Sequence, residues 1–336
     1  MRSAFLSGVS VVLWFCASGI FRDIKKIYYI EVNDISSPKD QDEYDREYAL
    51  AKMIACFFNY NILRCGRYNF DYLSEDRSSF DSIDDLPINE NDILSANVSM
   101  FKHKKLSIKP SIEIFPEGAT IINQLNRIGG FKRYYRFKQG VKKILSYCNL
   151  RSVIDARKYY VLPDYLGITG RLVKDLPIYQ VLPIDRLLEN FQKIFSYLDS
   201  AYGISKVLGD SPVYIHPVSA VYPMDDYGAW LRSIEESAAG KVIFLKKHPT
   251  DTRAFPAALL DRHLKLLPDA LSSIPLELLF CKPNISYIGY ISTTLLFLEP
   301  ARVKIVEPPR KDIMFTKMFY PGLNDLFCPV WKKYWL

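Results

Sequence analysis

The stretch Val242-Ile-Phe-Leu-Lys-Lys-His-Pro-Thr-Asp251 runs an apolar strand-like segment into two ammonium groups and an imidazole. Open α/β sheets place ligands at the carboxyl ends of their strands, so His248 stands where a ligand would sit. Pro249 fixes the backbone just past it. An imidazole there can protonate a departing phosphate oxygen, and Lys246 and Lys247 can neutralise phosphate as point charges. Side chains alternate along a strand, so only one of the two lysines is expected to face the site. Thr250 adds a hydroxyl beside them. Among the 4 histidines, His216 also precedes a proline after a strand-like run, but it lacks the lysines and is expected only to line a cleft.

Three further segments carry suitable groups. In Ile112-Glu-Ile-Phe-Pro-Glu-Gly-Ala-Thr120 a strand ends at a turn where Gly118 tolerates positive φ. Glu117 on that turn can act as a general base toward a hydroxyl, although a carboxylate before a helix also serves as a simple dipole partner. In Gly289-Tyr-Ile-Ser-Thr-Thr-Leu-Leu296 the hydroxyls of Ser292, Thr293 and Thr294 precede an apolar helical segment. Helix amides with hydroxyls bind phosphate, and the same residues form ordinary caps. Glu277, opening a short helix in Ile274-Pro-Leu-Glu-Leu-Leu279, can accept from ribose hydroxyls.

These segments need a scaffold that alternates strands with helices. Strand-like runs fall at Ile27–Val32, Ile112–Phe115, Val213–Pro217, Val242–Leu245, Ile285–Ile288 and Val303–Val306. Helical stretches are expected at Glu43–Tyr60, Arg186–Tyr202, Asp226–Ala239 and Pro256–Leu266. That rhythm predicts an α/β protein with parallel sheets. With 336 residues the chain has room for two domains. The Gly- and Pro-bearing stretch Lys206–Pro212 marks the expected boundary. The domains are expected at 1–207 and 208–318, with an aromatic tail at 319–336 that crosses back.

Apolar residues at 49% and charged residues at 24% exclude a disordered chain and a multi-span membrane protein. The net charge of +7 suits an anionic substrate or an anionic membrane surface, and no nucleic-acid-binding signature is present. The 6 cysteines are irregularly spaced without a CxxC pair, which reads as reduced thiols in a reducing compartment. Ala4–Phe21 carries no charged side chain; the α/β rhythm makes it a buried helix, and a single membrane anchor is the alternative.

Taken in order, Glu117-Gly118, His248-Pro249 and Ser292–Thr294 resemble the motifs of the bacterial sialyltransferases and polysialyltransferases. Lys246 to Asp251 looks like the lipooligosaccharide sialyltransferases of glycosyltransferase family 52, and is close to the capsular polysialyltransferases. Pro275 to Glu277 looks like the group's nucleotide-binding segment. The resemblance implies two facing Rossmann-like domains of the GT-B type, with donor held by the C-terminal domain and acceptor by the N-terminal one. It implies inverting transfer of sialic acid from CMP-sialic acid to a glycan, such as a lipooligosaccharide or capsular polysaccharide. Glu117 would take the acceptor proton and His248 would assist CMP departure. Ser292 and Thr293 would bind phosphate, and Glu277 the ribose or base. Pro116 stands where the group usually has a second acid, so Asp226, which lies 22 residues before His248, is the alternative base. Asp226 equally suits the cap of a following helix. No cofactor and no metal are expected, because lysines, histidine and helix amides would carry the leaving charge. A cytoplasmic location follows, peripheral to the inner face of the membrane. Other readings are a transferase using CMP-Kdo or CDP-glycerol, and a non-catalytic sugar-phosphate-binding module.

Overall fold

The computed structural model describes residues 2–34, 39–70, 78–81, 92–95, 111–114, 158–161, 179–218, 224–248, 254–289 and 298–306. At 32, 34, 68–70, 78–81, 94–95, 111–114, 158–161, 179–181, 224–226 and 300 the description is confined to the backbone. The chain divides into two compact units, 1–36 with 40–187 and 37–39 with 188–336. The division falls inside a long helix, Ile184–Tyr202, whereas the boundary expected at 207/208 lies in the short helix after it, Ile204–Leu208. Beyond the division, Gln192 Nε2 of the long helix donates to the Cys281 carbonyl at 3.3 Å, a bond internal to the second unit.

The first unit is built on an eight-stranded sheet. Its strands are β1 (Ser3–Ser7), β2 (Lys26–Asp34), β3 (Asn61–Phe70), β4 (Ser78–Asp81), β5 (Ile93–Ser95), β6 (Ser111–Ile114), β7 (Lys158–Val161) and β8 (Tyr179–Val181), in the order β4-β3-β2-β1-β5-β6-β7-β8. All neighbours run parallel except β3 and β4. The uncharged run at 4–21 is therefore a strand and a helix, β1 and α1 (Val9–Ser18). β1 and the helix merge into one apolar run, which the sequence reads as a single helix. Every residue of β1 is buried, and so is every residue of α1 except Ser10. A ten-residue helix spans only about 15 Å, half the hydrocarbon thickness of a bilayer. Among the described residues no helix is long and apolar enough to cross a membrane.

Gly19 ends α1 in the left-handed region, and its N–H bonds the Cys16 carbonyl at 3.3 Å. A Cβ at Gly19 would lie 2.6 Å from the Arg186 guanidinium, so the glycine serves both turn and approach. Helix α2 (Gln41–Phe57) is capped by Asp40, whose carboxylate accepts from the Glu43 N–H at 2.8 Å. Its buried face is Tyr44, Glu47, Leu50, Ala51, Ile54 and Ala55, the helical period that the sequence presents.

The second unit begins with the long helix, α3 (Ile184–Tyr202), of which residues 188–202 belong to it, and α4 (Ile204–Leu208). Its sheet consists of β9 (Val213–Val218), β10 (Val242–Lys247), β11 (Leu264–Leu266), β12 (Ile285–Gly289) and β13 (Val303–Ile305). All neighbours are parallel, in the order β11-β10-β9-β12-β13. Counted from β9 this is 3-2-1-4-5, the order of a doubly wound Rossmann-like sheet, reversing between β9 and β12. Helix α5 (Met224–Ala238) joins β9 to β10 and packs Tyr227, Trp230, Leu231 and Ile234 on Ile243, Leu245 and Ile288. Two short helices, α6 (Asp269–Ser272) and α7 (Leu276–Leu279), lead into β12.

Both units are thus α/β with parallel sheets, as the sequence predicts. One element is corrected. Pro256–Leu266, expected to be helical, is a single 3-10 turn at Ala257–Leu259 followed by strand β11. The Asp261 carboxylate accepts from the N–H groups of His263 at 2.5 Å and Leu264 at 2.8 Å. That local turn replaces helical bonding and releases Leu264 to pair with Ile243.

Candidate active site

One ladder of the second sheet ends before its carboxyl edge. Strands β9 and β10 stay paired to their ends, through Val218 and Lys247. Strands β12 and β13 likewise pair as far as Gly289 and Ile305. Between β9 and β12, however, the paired register is Val213–Ile215 against Ile285–Tyr287, although both strands continue toward the carboxyl edge. The β9–β12 hydrogen bonding therefore splits off short of the carboxyl edge where the sheet's order reverses, the place at which such sheets bind ligands. Pro217 sits in this stretch of β9 without an N–H to give a ladder.

The floor of the split is His216, which is completely buried. Its Nδ1 lies 2.8 Å from the Ile288 carbonyl, and its Nε2 lies 2.5 Å from the Tyr227 hydroxyl. A carbonyl only accepts, so Nδ1 carries the proton and Nε2 accepts from the tyrosine O–H. Trp230 meets the ring edge-on, with centroids 4.9 Å apart at 88°. Burial lowers the His216 pKa to about 4, partly opposed by the bond to Ile288. The ring is neutral at physiological pH and holds structure, not charge. The sequence reads His216 as a group lining a cleft; in the structure its buried ring bonds the Ile288 carbonyl of β12 and the Tyr227 hydroxyl of α5. The signal was a proline following a histidine in a strand with neighbours on both sides.

His248 follows β10 at the same edge. Its N–H donates to the Val218 carbonyl at 2.9 Å, which ties it to the end of β9 beside the split, and the residue is exposed. The two lysines separate as alternation requires. Lys246 is buried and its Nζ donates to the Ser272 carbonyl at 2.5 Å, at the last residue of α6. A cation there satisfies a helix C-terminal carbonyl. Lys247 is half-buried, and by alternation shares the face of Ile243 and Leu245, on which α5 packs.

Glu277 lies in the first turn of α7, half-buried, and its carbonyl accepts from the Cys281 thiol at 3.5 Å. Asp226 falls in the first turn of α5, next to Tyr227, and is described by its backbone alone. Glu117, Gly118, Pro249, Thr250, Ser292, Thr293 and Thr294 lie outside the described residues. In sequence, Glu117 is three residues past β6, and Ser292 is three residues past β12.

Gly289 has φ +151, and a Cβ there would stand 2.7 Å from His216 Nδ1 and 3.1 Å from its Cε1. Only glycine lets β12 come this close to the imidazole. Among the described residues no group of three or more His, Cys, Asp or Glu is arranged to hold a metal ion. Cys16, Cys56, Cys65 and Cys281 are free thiols, and burial pushes the last two up to about 12.

No protein-family model matches the chain, and no curated protein matches it in sequence. Among solved structures, it is similar to the GT-B domain of a sialyltransferase from Photobacterium damselae at 12% identity, over 96% of both chains, with TM-score 0.49. A second structure of a sialyltransferase from that organism is similar at 11% identity, over 96% of this chain and 80% of that one, with TM-score 0.48. The 2,6-sialyltransferase of Photobacterium sp. JT-ISH-224, solved with CMP and lactose, is similar at 12% identity and TM-score 0.48, covering 99% of this chain and 75% of that one.

Proposed function

We propose that this chain is a glycosyltransferase that moves sialic acid from CMP-sialic acid to a glycan with inversion and without a metal. The observation that carries the reading is the split of the second sheet between β9 and β12, with His248 tied beside it. In this reading a nucleotide phosphate at that split meets His248, Lys247 and the segment that carries Ser292, Thr293 and Thr294.

In this reading His248 donates its proton to the phosphate oxygen as the bond to the sugar breaks, so CMP departs with its added charge neutralised. Lys247 and the hydroxyls of Ser292–Thr294 steady the phosphate, with Pro249 and Thr250 as further donor-site residues. Lys246 works through the scaffold: it fixes α6, which leads to Glu277, the partner for ribose or base. Glu117 takes the proton of the attacking acceptor hydroxyl, with Asp226 as the alternative base. The acceptor, a lipooligosaccharide or capsular glycan, reaches the enzyme in the cytoplasm at the inner face of the membrane.

The test is CMP release from CMP-sialic acid by purified protein in EDTA, alongside CMP-Kdo and CDP-glycerol. The reading predicts turnover of CMP-sialic acid with chelator present. Turnover of CDP-glycerol alone, or of none of the three, would refute it.

A further inference from the structure

We propose that His216 is the positioning residue of the donor site: its imidazole, braced by Tyr227, replaces the missing ladder between β9 and β12 and sets the gap that receives the nucleotide phosphate. The inference rests on the reading of the split as a donor site. It concerns a residue that touches no reacting atom.

The seam shows why a side chain is needed there. After Ile215 and Tyr287 the paired register ends, while each strand keeps its other neighbour. The carboxyl end of β12 is then joined to β9 through the ring of His216, by the 2.8 Å bond from Nδ1 to the Ile288 carbonyl. The ring packs directly against Gly289, since a Cβ there would intrude to 2.7 Å. At Gly289 the imidazole therefore leaves no room for a side chain.

That imidazole has a single orientation. Tyr227 fixes Nε2 at 2.5 Å, and Trp230 closes one side edge-on. Tyr227 belongs to α5 and directly follows Asp226. One ring therefore joins three pieces of the carboxyl edge: β9, the exit of β12 and the start of α5. Its neutrality adds to this, because no proton need be gained or lost for both bonds to persist near pH 7. A histidine that merely filled a core would leave CMP affinity untouched when the Tyr227 hydroxyl is removed.

The experiment measures CMP affinity by calorimetry and steady-state turnover of CMP-sialic acid, with thermal midpoints recorded for each variant. Tyr227→Phe removes the brace and keeps the bond to Ile288. His216→Phe removes both bonds, and His216→Asn retains a donor near the Nδ1 position. Loss of one buried bond predicts a Kd for CMP raised about fivefold in Tyr227→Phe, and loss of both about twentyfold or more in His216→Phe. His216→Asn keeps the bond to Ile288 and loses the brace, so its Kd is expected near the roughly fivefold rise of Tyr227→Phe and clearly below that of His216→Phe, and kcat stays within about threefold throughout, since the chemistry belongs to other groups. Nitrogen-15 spectra of the free protein are expected to show Nδ1 protonated at pH 7. Should His216→Phe fail to fold, Tyr227→Phe and His216→Asn decide by the same criterion. Wild-type affinity in Tyr227→Phe, or a Kd that follows the thermal midpoint and is no better in His216→Asn than in His216→Phe, overturns the inference while leaving the donor site standing. Absence of CMP binding by the wild type overturns both.

Discussion

The two histidines at the carboxyl edge of the second sheet have opposite surroundings. His248 is exposed, and its backbone N–H donates to the Val218 carbonyl at the end of β9. His216 is sealed between Ile288, Tyr227 and Trp230. The first can exchange protons with a ligand, and the second cannot do so without breaking the seam. His248→Ala is expected to lower kcat for CMP-sialic acid by about 10²–10⁴ while changing CMP affinity by less than about tenfold, read from initial rates and calorimetry. For His216 the sign of the pH effect follows from its lowered pKa. Below the ordinary value of 6.5 the unfolded chain takes up the proton first, whereas the folded protein resists down to about 4. The stability due to the neutral ring is complete above 6.5 and is lost as pH falls toward 4, up to about 3 kcal/mol. In denaturant titrations the advantage of wild type over His216→Asn is therefore expected to shrink between pH 7 and pH 4.5. At this scale the Lys-Lys-His-Pro run was readable from residue types alone. The partner of Lys246 was not, because nothing local to β10 announces a carbonyl 26 residues away.

Elements were legible where one period dominates. The apolar runs of β9, β10 and β12 and the amphipathic pattern of α2 all appear where the sequence puts them, within a few residues. β3 was missed because Arg64, Cys65, Gly66 and Arg67 break any alternating pattern. Its pairing survives because Arg64 and Arg67 both bond the buried Glu31 of β2, a cross-strand arrangement that sequence alone does not show. The turn at Asp261 defeated a helical pattern for a similar reason: one side chain bonding two N–H groups outweighs a weak period. Where a cap is legible, its loss should be measurable. Asp40→Ala is expected to cost about 1 kcal/mol in chemical denaturation, by stranding the Glu43 N–H at the start of α2. An unchanged midpoint would mean that water replaces the cap without loss.

For the whole molecule, alternation of strands and helices was enough to read two α/β units, but not the order in which strands pair. Pairing of β9 with β12 joins residues about 70 apart in sequence, and the split that makes the site exists only because of that order. The same holds for β1, which lies between β2 and β5 and is completely buried. Deleting residues 1–22 removes this central strand together with α1, so the truncated protein is expected to aggregate on expression. A soluble product with the circular dichroism of an intact first unit would contradict the placement of β1. The central claim is where the nucleotide binds, and a crystal structure of the protein with CMP measures that directly. The predicted result is a phosphate at the carboxyl edge between β9 and β12, above His216 and within about 3 Å of the His248 imidazole. A CMP bound elsewhere on the chain, with that split left empty, would contradict it.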